Sequence, residues 1–267
     1  MSLAEEIRSV GVKTGELAVC WLGQAGFLLK DSRDSILVLD PYLTNCGERI
    51  RGFKRLSPML LRPEELRPRY HVTTHLHFDH FDYDAIPVIA RNTPDALFLG
   101  PSSCVNEFVK MGIAPGQCRR LDRGEDYQDE NISIRAVLAD HGTMAPDAVG
   151  ILLKMGGHRL YFTGDTAFHE ELFREVALFH PQFAAISVNG KFGNMNATEG
   201  AEAALLTQCL WATPCHCWTF AEHGGNPGQF CETLKKTKAC LSVCFRQGEI
   251  QILDQNSTLL RKEESAS

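Results

Sequence analysis

The run His75-Leu76-His77-Phe78-Asp79-His80 places three imidazoles and one carboxylate within six residues. Imidazole nitrogen and carboxylate oxygen are ligands that first-row transition metals take in proteins, and a tight turn of this pattern can direct alternate side chains to two adjacent ions. A lone histidine is usually an ordinary hydrogen-bonded polar residue. Four such residues together, followed by Asp82 and Asp84, instead predict a divalent-metal centre suited to hydrolysis.

The metal-ligating run directly follows an apolar segment, 70–74, that we predict to be a strand. Other apolar runs bounded by turn residues predict further strands at 17–22, 27–30, 36–40, 96–99, 132–139, 149–155, 159–163, 183–188, 212–216, 241–245 and 249–253. Helices are predicted at 102–111, 168–179, 198–210 and 227–236. We expect Ser102 or Ser103 to cap the first of these helices.

Two apolar hairpins resemble each other in sequence. The segments 26–30 and 36–40 are echoed by 150–154 and 160–165, and each second segment leads into an aspartate, Asp40 or Asp165. The similarity predicts one domain, residues 1–267, built from two related halves at roughly 17–140 and 141–255 without a linker. Because sheets and helices must bury their apolar faces, we predict two packed β-sheets with helices outside, an α/β protein with an αββα four-layer sandwich.

Composition excludes several classes of function. A net charge of −6 and scattered basic residues argue against a nucleic-acid partner. No apolar run approaches the roughly 20 residues that span a bilayer, and the first residues lack the pattern of a secretory signal, so we expect a cytoplasmic protein without a membrane partner. The ten cysteines lack paired zinc-site spacing and are expected to be free, buried thiols.

Several motifs together resemble the metallo-β-lactamase superfamily. Thr74-His75-Leu76-His77-Phe78-Asp79-His80 matches the signature of that family, and its other motifs follow in order as Ala139-Asp140-His141-Gly142, Thr163-Gly164-Asp165-Thr166 and Thr213-Pro214-Cys215-His216. Asp40 ends an early strand, as the first motif of the family does. The resemblance spans about residues 18–220 and implies the αββα fold of the superfamily.

The resemblance also implies a ligand set for two adjacent metal sites. One ion would be bound by His75, His77 and His141, the other by Asp79, His80 and His216, with Asp165 bridging them. Asp40 would accept an N–H from a ligand histidine and so fix its tautomer. The cofactor would be one or two divalent ions per chain, with manganese or zinc favoured and iron also compatible.

Some positions in this ligand set have alternatives. His141 could be a surface residue in a polar turn, and Asp165 could be a simple turn residue after Gly164. His216 has a rival in His223, which lies in the looser turn Ala221-Glu222-His223-Gly224-Gly225. We favour His216 because it lies at the end of a predicted strand, and the role of His223 stays open.

Three segments, 21–26, 187–196 and 214–216, resemble the L-ascorbate-6-phosphate lactonase branch of the superfamily. That branch favours manganese and forms oligomers. The resemblance implies that this chain is a lactonase acting on a phosphorylated sugar-acid lactone such as L-ascorbate 6-phosphate. A metal-activated hydroxide would attack the lactone carbonyl. Asp79 would be the catalytic residue that transfers the proton to the leaving alkoxide. A homo-oligomer and a small anionic ligand are the expected partners.

A phosphate on the substrate would need cationic or amide donors. One candidate group is Asn189, Lys191, Asn194 and Asn196. A second is Arg51, Lys54 and Arg55, and either group could instead be a polar loop that orders the rim. Rival functions are a phosphodiesterase or other ester hydrolase on the same dinuclear site, an iron-dependent redox protein and a non-catalytic metal-binding module.

Overall fold

The computed structural model describes residues 1–261. The strands are β1 (Leu17–Gly23), β2 (Gly26–Asp31), β3 (Ile36–Leu39), β4 (Tyr70–Val72), β5 (Leu97–Gly100), β6 (Cys118–Arg120), β7 (Asp126–Gln128), β8 (Ile132–Leu138), β9 (Val149–Met155), β10 (His158–Phe162), β11 (Phe183–Ser187), β12 (Trp211–Cys215), β13 (Leu241–Ser242), β14 (Ile250–Leu253) and β15 (Leu259–Arg261). The helices are α1 (Leu3–Ser9), α2 (Cys46–Arg51), α3 (Ala85–Asn92), α4 (Ser102–Lys110), α5 (Glu170–Ala177), α6 (Ala197–Leu206) and α7 (Pro227–Thr237).

These strands form two mixed β-sheets. The first has the order β15-β14-β1-β2-β3-β4-β5-β6 and the second the order β13-β12-β11-β10-β9-β8-β7. Apolar side chains from both sheets meet in one buried cluster, in which Phe27 of β2 packs against Phe162 of β10 and Phe183 of β11. Successive side chains of a strand point to opposite faces of its sheet. Each sheet therefore also has an outer face, and the apolar side chains on it must be covered.

Helices cover those outer faces. Ile7 of α1, Ile86 of α3 and Phe108 of α4 pack on the first sheet in a second buried cluster. Phe173 of α5 and Phe230 of α7 belong to a third cluster on the second sheet, together with the alanines of α6. The predicted αββα four-layer sandwich is therefore confirmed. Among residues 1–261, no helix combines the length and apolar character needed to cross a membrane.

The two sheets repeat one strand pattern. The antiparallel pair β2–β3 is followed by parallel β4, β5 and β6, and the antiparallel pair β9–β10 is followed by parallel β11, β12 and β13. Sheet membership does not follow the predicted division at 140/141, because β8 pairs with β9 in the second sheet and β14 with β1 in the first. The division into related halves at that point stays a prediction.

The start of α4 differs from the sequence-based expectation. The prediction that Ser102 or Ser103 caps this helix is wrong, because its N-cap is Pro101. Carboxylates from distant segments accept the free N–H groups of the first turn instead. The backbone N–H of Ser102 donates to Asp122 at 2.7 Å, and that of Ser103 donates to Asp147 at 3.0 Å.

Candidate metal centre

The predicted ligands, and Asp40, which is predicted to orient one of them, all lie just beyond the C-terminal ends of strands. Asp40 follows β3, the run 75–80 follows β4, His141 follows β8, Asp165 follows β10 and His216 follows β12. Within each sheet the parallel neighbours β3 and β4, and β10 to β12, end at one edge. The loops at that edge are free to carry polar side chains because the strands below supply the packing, as at ligand sites of many α/β proteins.

One group of ligand atoms comprises His75, His77, His141 and Asp165, whose ligand atoms all lie within 4.8 Å of one another. The His75 Nε2 atom lies 3.0 Å from His77 Nδ1, and His141 Nε2 lies 3.2 Å from the same nitrogen. Asp165 Oδ2 lies 3.7 Å from His141 Nε2. Three imidazoles and one carboxylate therefore converge on a space about the size of a single ion.

A second group comprises Asp79, His80 and His216, again within 4.8 Å. The two Nε2 atoms of His80 and His216 face each other at 3.0 Å. Asp79 Oδ2 lies 3.2 Å from His216 Nε2. Two imidazole nitrogens so close need a proton or a cation between them, because two lone pairs facing each other repel.

The carboxylate of Asp165 lies between the two groups. Its Oδ2 faces His141, while its Oδ1 lies 3.2 Å from both His80 Nε2 and His216 Nε2. Oδ1 is buried and has no hydrogen-bond partner in the described chain, whereas Oδ2 accepts an N–H from Asn194 at 2.7 Å. A buried carboxylate oxygen without a hydrogen bond fits a position at which it would contact a cation.

Protonation states in this site also fit a divalent cation. Burial lowers the pKa of His75 well below its ordinary value, and it lowers the pKa of His77 and His141 as well. Burial alone would raise the pKa of the Asp165 carboxyl, but nearby histidines, above all His216 and His80, hold it well below its usual range. Neutral imidazoles beside an ionised carboxylate are the forms in which these groups bind metals.

His80 is the exception among these histidines. Burial disfavours its charged ring, yet Asp165, Asp40 and Asp79 together raise its pKa well above the ordinary value. The raised pKa reports the negative potential that the three carboxylates create where the ring nitrogens meet. Such a potential attracts a cation as well as a proton, and a bound divalent ion would replace that proton.

Asp40 occupies the position beneath His80. Its Oδ1 accepts the backbone N–H of Thr74 at 2.8 Å, and its Oδ2 accepts the Thr74 hydroxyl at 2.7 Å. Oδ2 also lies 2.8 Å from His80 Nδ1. Because a carboxylate only accepts hydrogen bonds, the His80 ring donates from Nδ1 and keeps the Nε2 lone pair for the site.

Two more residues belong to this site: Gln24, for which no role was predicted, and His223, the alternative to His216 as a ligand. Gln24, in the turn between β1 and β2, is fully buried, and its Nε2 lies 2.7 Å from Asp79 Oδ2 and 2.9 Å from His223 Nδ1. The His223 ring stacks on His216 with centroids 4.9 Å apart. Burial lowers the pKa of His223 to about 4. The sequence signals for Gln24 are its place in the segment 21–26, which resembles the lactonase branch, and an amide inside a mainly apolar hairpin.

A cavity of about 270 Å³ opens onto both ligand groups. Its lining consists of Arg51, Phe53, His77, Phe78, Asp79, His141, Met144, Asp165, Phe192, His216 and His223. The volume lies just below the roughly 300–1,000 Å³ of pockets for drug-sized ligands, so it suits a small molecule. Within the described lining, Arg51 is the one Lys or Arg side chain, and three phenylalanines form much of the wall.

The residues predicted to bind a substrate phosphate lie outside this lining, with the exception of Arg51. Asn194 is hydrogen-bonded to Asp165, and the Asn196 side chain caps α6 by accepting the N–H groups of Thr198 and Glu199. Asn189 is buried with its amide directed to the Lys191 carbonyl at 3.4 Å. The side chains of Lys54 and Lys191 are exposed. The hydrogen bonds of the three asparagines thus favour structural roles for these residues.

The chain is similar in sequence to known proteins over most of its length. A family model described as beta-lactamase superfamily domain matches residues 40–216. A metal-dependent hydrolase of Symbiobacterium thermophilum is 26% identical over 249 residues, which cover 89% of this chain and 100% of that protein. A Shigella boydii protein named "Probable L-ascorbate-6-phosphate lactonase" is 27% identical over 207 residues, covering 61% of this chain and 58% of that protein.

Solved structures agree in fold. Igni18, a metallo hydrolase of Ignicoccus hospitalis, superposes with a TM-score of 0.73 at 20% identity, covering 89% of this chain and 98% of that one. An isothiocyanate hydrolase from Delia radicum gut bacteria superposes with a TM-score of 0.72 at 16% identity, covering 87% of this chain and 98% of that one. At these identities the likeness extends to the arrangement of strands and helices.

Proposed function

Since this chain belongs to the beta-lactamase superfamily and is a metal-dependent hydrolase, we propose that it is a lactonase with a dinuclear site. The leading substrate is a small anionic lactone, with a phosphorylated sugar-acid lactone such as L-ascorbate 6-phosphate as the candidate. The observation that carries the proposal is the cavity of about 270 Å³, whose floor includes members of both ligand groups. A compact ester group could reach both positions at once.

We assign the ligand set as follows: His75, His77 and His141 for one ion, Asp79, His80 and His216 for the other, and Asp165 between them. A bound divalent ion would polarise the scissile carbonyl and make a bound water acidic. Asp79 lines the cavity, so its carboxylate can accept a proton from the attacking water and return it to the leaving oxygen. Asp40 keeps the Nε2 lone pair of His80 directed at the site.

The anionic part of the substrate is assigned to Arg51. Its side chain lines the cavity, whereas Lys54 and Lys191 lie outside the lining, so Arg51 replaces both as the proposed phosphate contact. A guanidinium can make two parallel hydrogen bonds to a phosphate, which orients the ring as well as binding it. Binding energy from this remote group would hold the lactone against the ions.

Substitution of Arg51 tests this assignment. We expect Arg51→Ala to lower kcat/KM for a phosphorylated lactone about 10- to 100-fold, because a hydrogen bond to a charged group contributes roughly 1.5–3 kcal/mol. The kcat/KM for the unphosphorylated lactone should fall only slightly. Lys191→Ala and Lys54→Ala serve as controls that remove the same charge outside the cavity. Equal losses for both substrates, or a selective loss in a control, would contradict the assignment.

A second candidate is an ester hydrolase with an apolar substrate. Phe53, Phe78, Phe192 and Met144 line the cavity, and the Met144 side chain lies close to Gly193. Phe192 is 46% exposed and Met144 50% exposed, so both apolar side chains are open to a ligand. Aromatic walls also pack against sugar rings, so this wall is compatible with both candidates but favours an aryl or alkyl ester over a strongly hydrated substrate.

Metal analysis and an activity panel on the same sample separate the candidates. Protein purified without added metal is expected to contain up to two divalent ions per chain and to hydrolyse the phosphorylated lactone. The panel adds an aryl ester, a plain lactone and bis(p-nitrophenyl) phosphate. Preference for the aryl ester would replace the first candidate with the second, and activity on the phosphodiester alone would indicate a phosphodiesterase. A metal-replete protein inactive on every substrate would refute both.

A further inference from the structure

We propose that His223 is a further catalytic residue whose Nε2–H donates a hydrogen bond to the substrate, and that Gln24 is the positioning residue that sets its tautomer. The inference rests on the proposed hydrolytic function of the site. It adds a hydrogen-bond donor that belongs to neither ligand group, since His223 lies outside both sets of converging ligand atoms.

The orientation of the Gln24 amide follows from its neighbour. The Asp79 carboxylate accepts hydrogen bonds and cannot donate them when ionised, so the Gln24 atom 2.7 Å from Asp79 Oδ2 must be the nitrogen. The backbone of Gln24 is equally constrained. Its carbonyl accepts the indole N–H of Trp21 at 2.9 Å and the backbone N–H of His216 at 2.8 Å. The contact with Asp79 therefore sets the orientation of the amide, and the backbone contacts hold the residue that carries it.

The same amide nitrogen determines where the proton of His223 lies. Gln24 Nε2 is 2.9 Å from His223 Nδ1. An amide NH₂ group has two protons to donate and no lone pair to accept with. Its two shortest contacts are those to Asp79 and His223, whereas the ring nitrogens of His216 lie farther away, at 3.2 and 3.4 Å, so we assign one proton to Asp79 and the other to His223. His223 Nδ1 must then accept, which leaves the ring proton on Nε2.

The His223 ring is held in the wall of the cavity by contacts with other rings. The ring stacks on His216 with an interplanar angle of 8°, and its centroid lies 5.4 Å from Phe192 and 5.1 Å from Phe220. It lines the same cavity as Asp79 and Asp165. In the described part of the chain, Nδ1 has a hydrogen-bond partner, Gln24, whereas no hydrogen bond of Nε2 is found. Nε2–H is available to a ligand.

A fixed N–H donor beside a hydrolytic site stabilises negative charge as it develops on a substrate oxygen. Either the carbonyl oxygen or the leaving oxygen gains such charge during ester cleavage. Donors of this kind act mainly in the transition state, and removal of one costs about 10²–10³ in kcat. We therefore expect His223→Ala to lower kcat about 100-fold or more, with a small change in KM and unchanged metal content.

Two further variants separate a catalytic role from a structural one. His223→Gln retains an N–H group and should recover part of the lost kcat, while His216→Ala should lose metal. An active parent whose His223→Ala variant keeps its kcat overturns the inference without touching the proposed hydrolysis. Loss of metal in His223→Ala would make this residue a ligand or a support of one, and would also overturn the inference.

The tautomer can be measured without turnover. In zinc-loaded protein, ¹⁵N chemical shifts should show His223 protonated at Nε2 and unprotonated at Nδ1. Gln24→Met, which is similar in length but lacks the amide donor, should remove this preference and lower kcat. A parent protein with the proton on Nδ1 overturns the inference whatever the activity. An inactive parent with the expected tautomer would instead contradict the proposed function.

Discussion

At the scale of single residues, Asp165 and Asp40 show two uses of a buried carboxylate. Asp165 lies between two groups of imidazoles and has one oxygen without a hydrogen bond. Both oxygens of Asp40, by contrast, have hydrogen-bond partners: Oδ1 accepts from Thr74, and Oδ2 accepts from Thr74 and His80. Identical chemical groups thus differ in role because of their hydrogen bonds. The first suits direct contact with cations, and the second orients a ligand.

We predict that Asp165→Asn keeps the fold but binds a second ion at least about 10-fold more weakly. An amide is nearly the same size as a carboxylate but carries no charge to offset the repulsion between two cations. Metal titration followed by elemental analysis measures the effect. Asp140→Asn is the matched control, because Asp140 is adjacent to His141 yet hydrogen-bonds His169 rather than the ligand groups. Two ions bound with parental affinity in Asp165→Asn would show that the bridge is elsewhere.

At the scale of elements, the loops at the strand ends need backbone conformations that most residues avoid. Gly164, between β10 and Asp165, has a φ of +60°, and a Cβ atom there would lie 2.7 Å from the Val149 carbonyl oxygen. Gln24 and His216 also have positive φ values, of 52° and 60°. These turns bring side chains back over the sheet edge, so the site depends on strained loops held by rigid strands.

We predict that Gly164→Ala lowers the free energy of unfolding by about 1–3 kcal/mol and weakens metal binding, because the added methyl displaces the turn that presents Asp165. For a domain of this size the melting temperature should fall roughly 2–4 °C per kcal/mol. Gly157→Ala is the control, since Gly157 has a φ of +88° but a methyl group added there would have no atom within 4 Å. Its variant should lose stability while keeping its metal, and equal metal loss in both would argue against the specific clash.

At the scale of the whole molecule, the proposed metal centre joins the two sheets. The run 75–80 follows β4 of the first sheet, whereas His141, Asp165 and His216 follow strands of the second. Bound ions would therefore cross-link the two halves of the sandwich at one edge, in addition to the apolar core between the sheets. Metal binding and folding stability should be coupled, because the unfolded chain does not hold these ligands together.

We predict that chelation lowers the melting temperature and that added metal restores it. Metal at about 100 times its dissociation constant should contribute roughly 2.7 kcal/mol, or about 5–11 °C for a domain of this size. Calorimetry with and without manganese or zinc measures the shift. His77→Ala, which removes one ligand from the cavity floor, should respond much less to metal. An unchanged melting temperature after measured metal loss would exclude this coupling.

Local patterns in the chain were sufficient for the fold class and for the candidate ligands of the run 75–80, whereas the resemblance to the superfamily supplied the other candidate ligands. Apolar runs that end in turn residues predict strands, because every buried strand needs apolar side chains along its length and a turn at its end. The imidazole-rich run is equally local, so it could be recognised without knowledge of its neighbours. Helices α1, α2 and α3 and the short strands β6, β7 and β15 were missed. These elements are short, and the local pattern alone is too weak to predict them.

Tertiary structure alone decided which polar residues meet. Gln24 and His223 are 199 residues apart in sequence, yet their side chains lie 2.9 Å apart. Arg51 and Phe192 face one cavity from separate segments, while Asn196 is engaged as a helix cap. Hydrogen bonds and cavity walls depend on distances in space, and sequence spacing determines such distances only within one turn or strand. The ligand types can therefore be predicted from the sequence, whereas the substrate contacts require the fold.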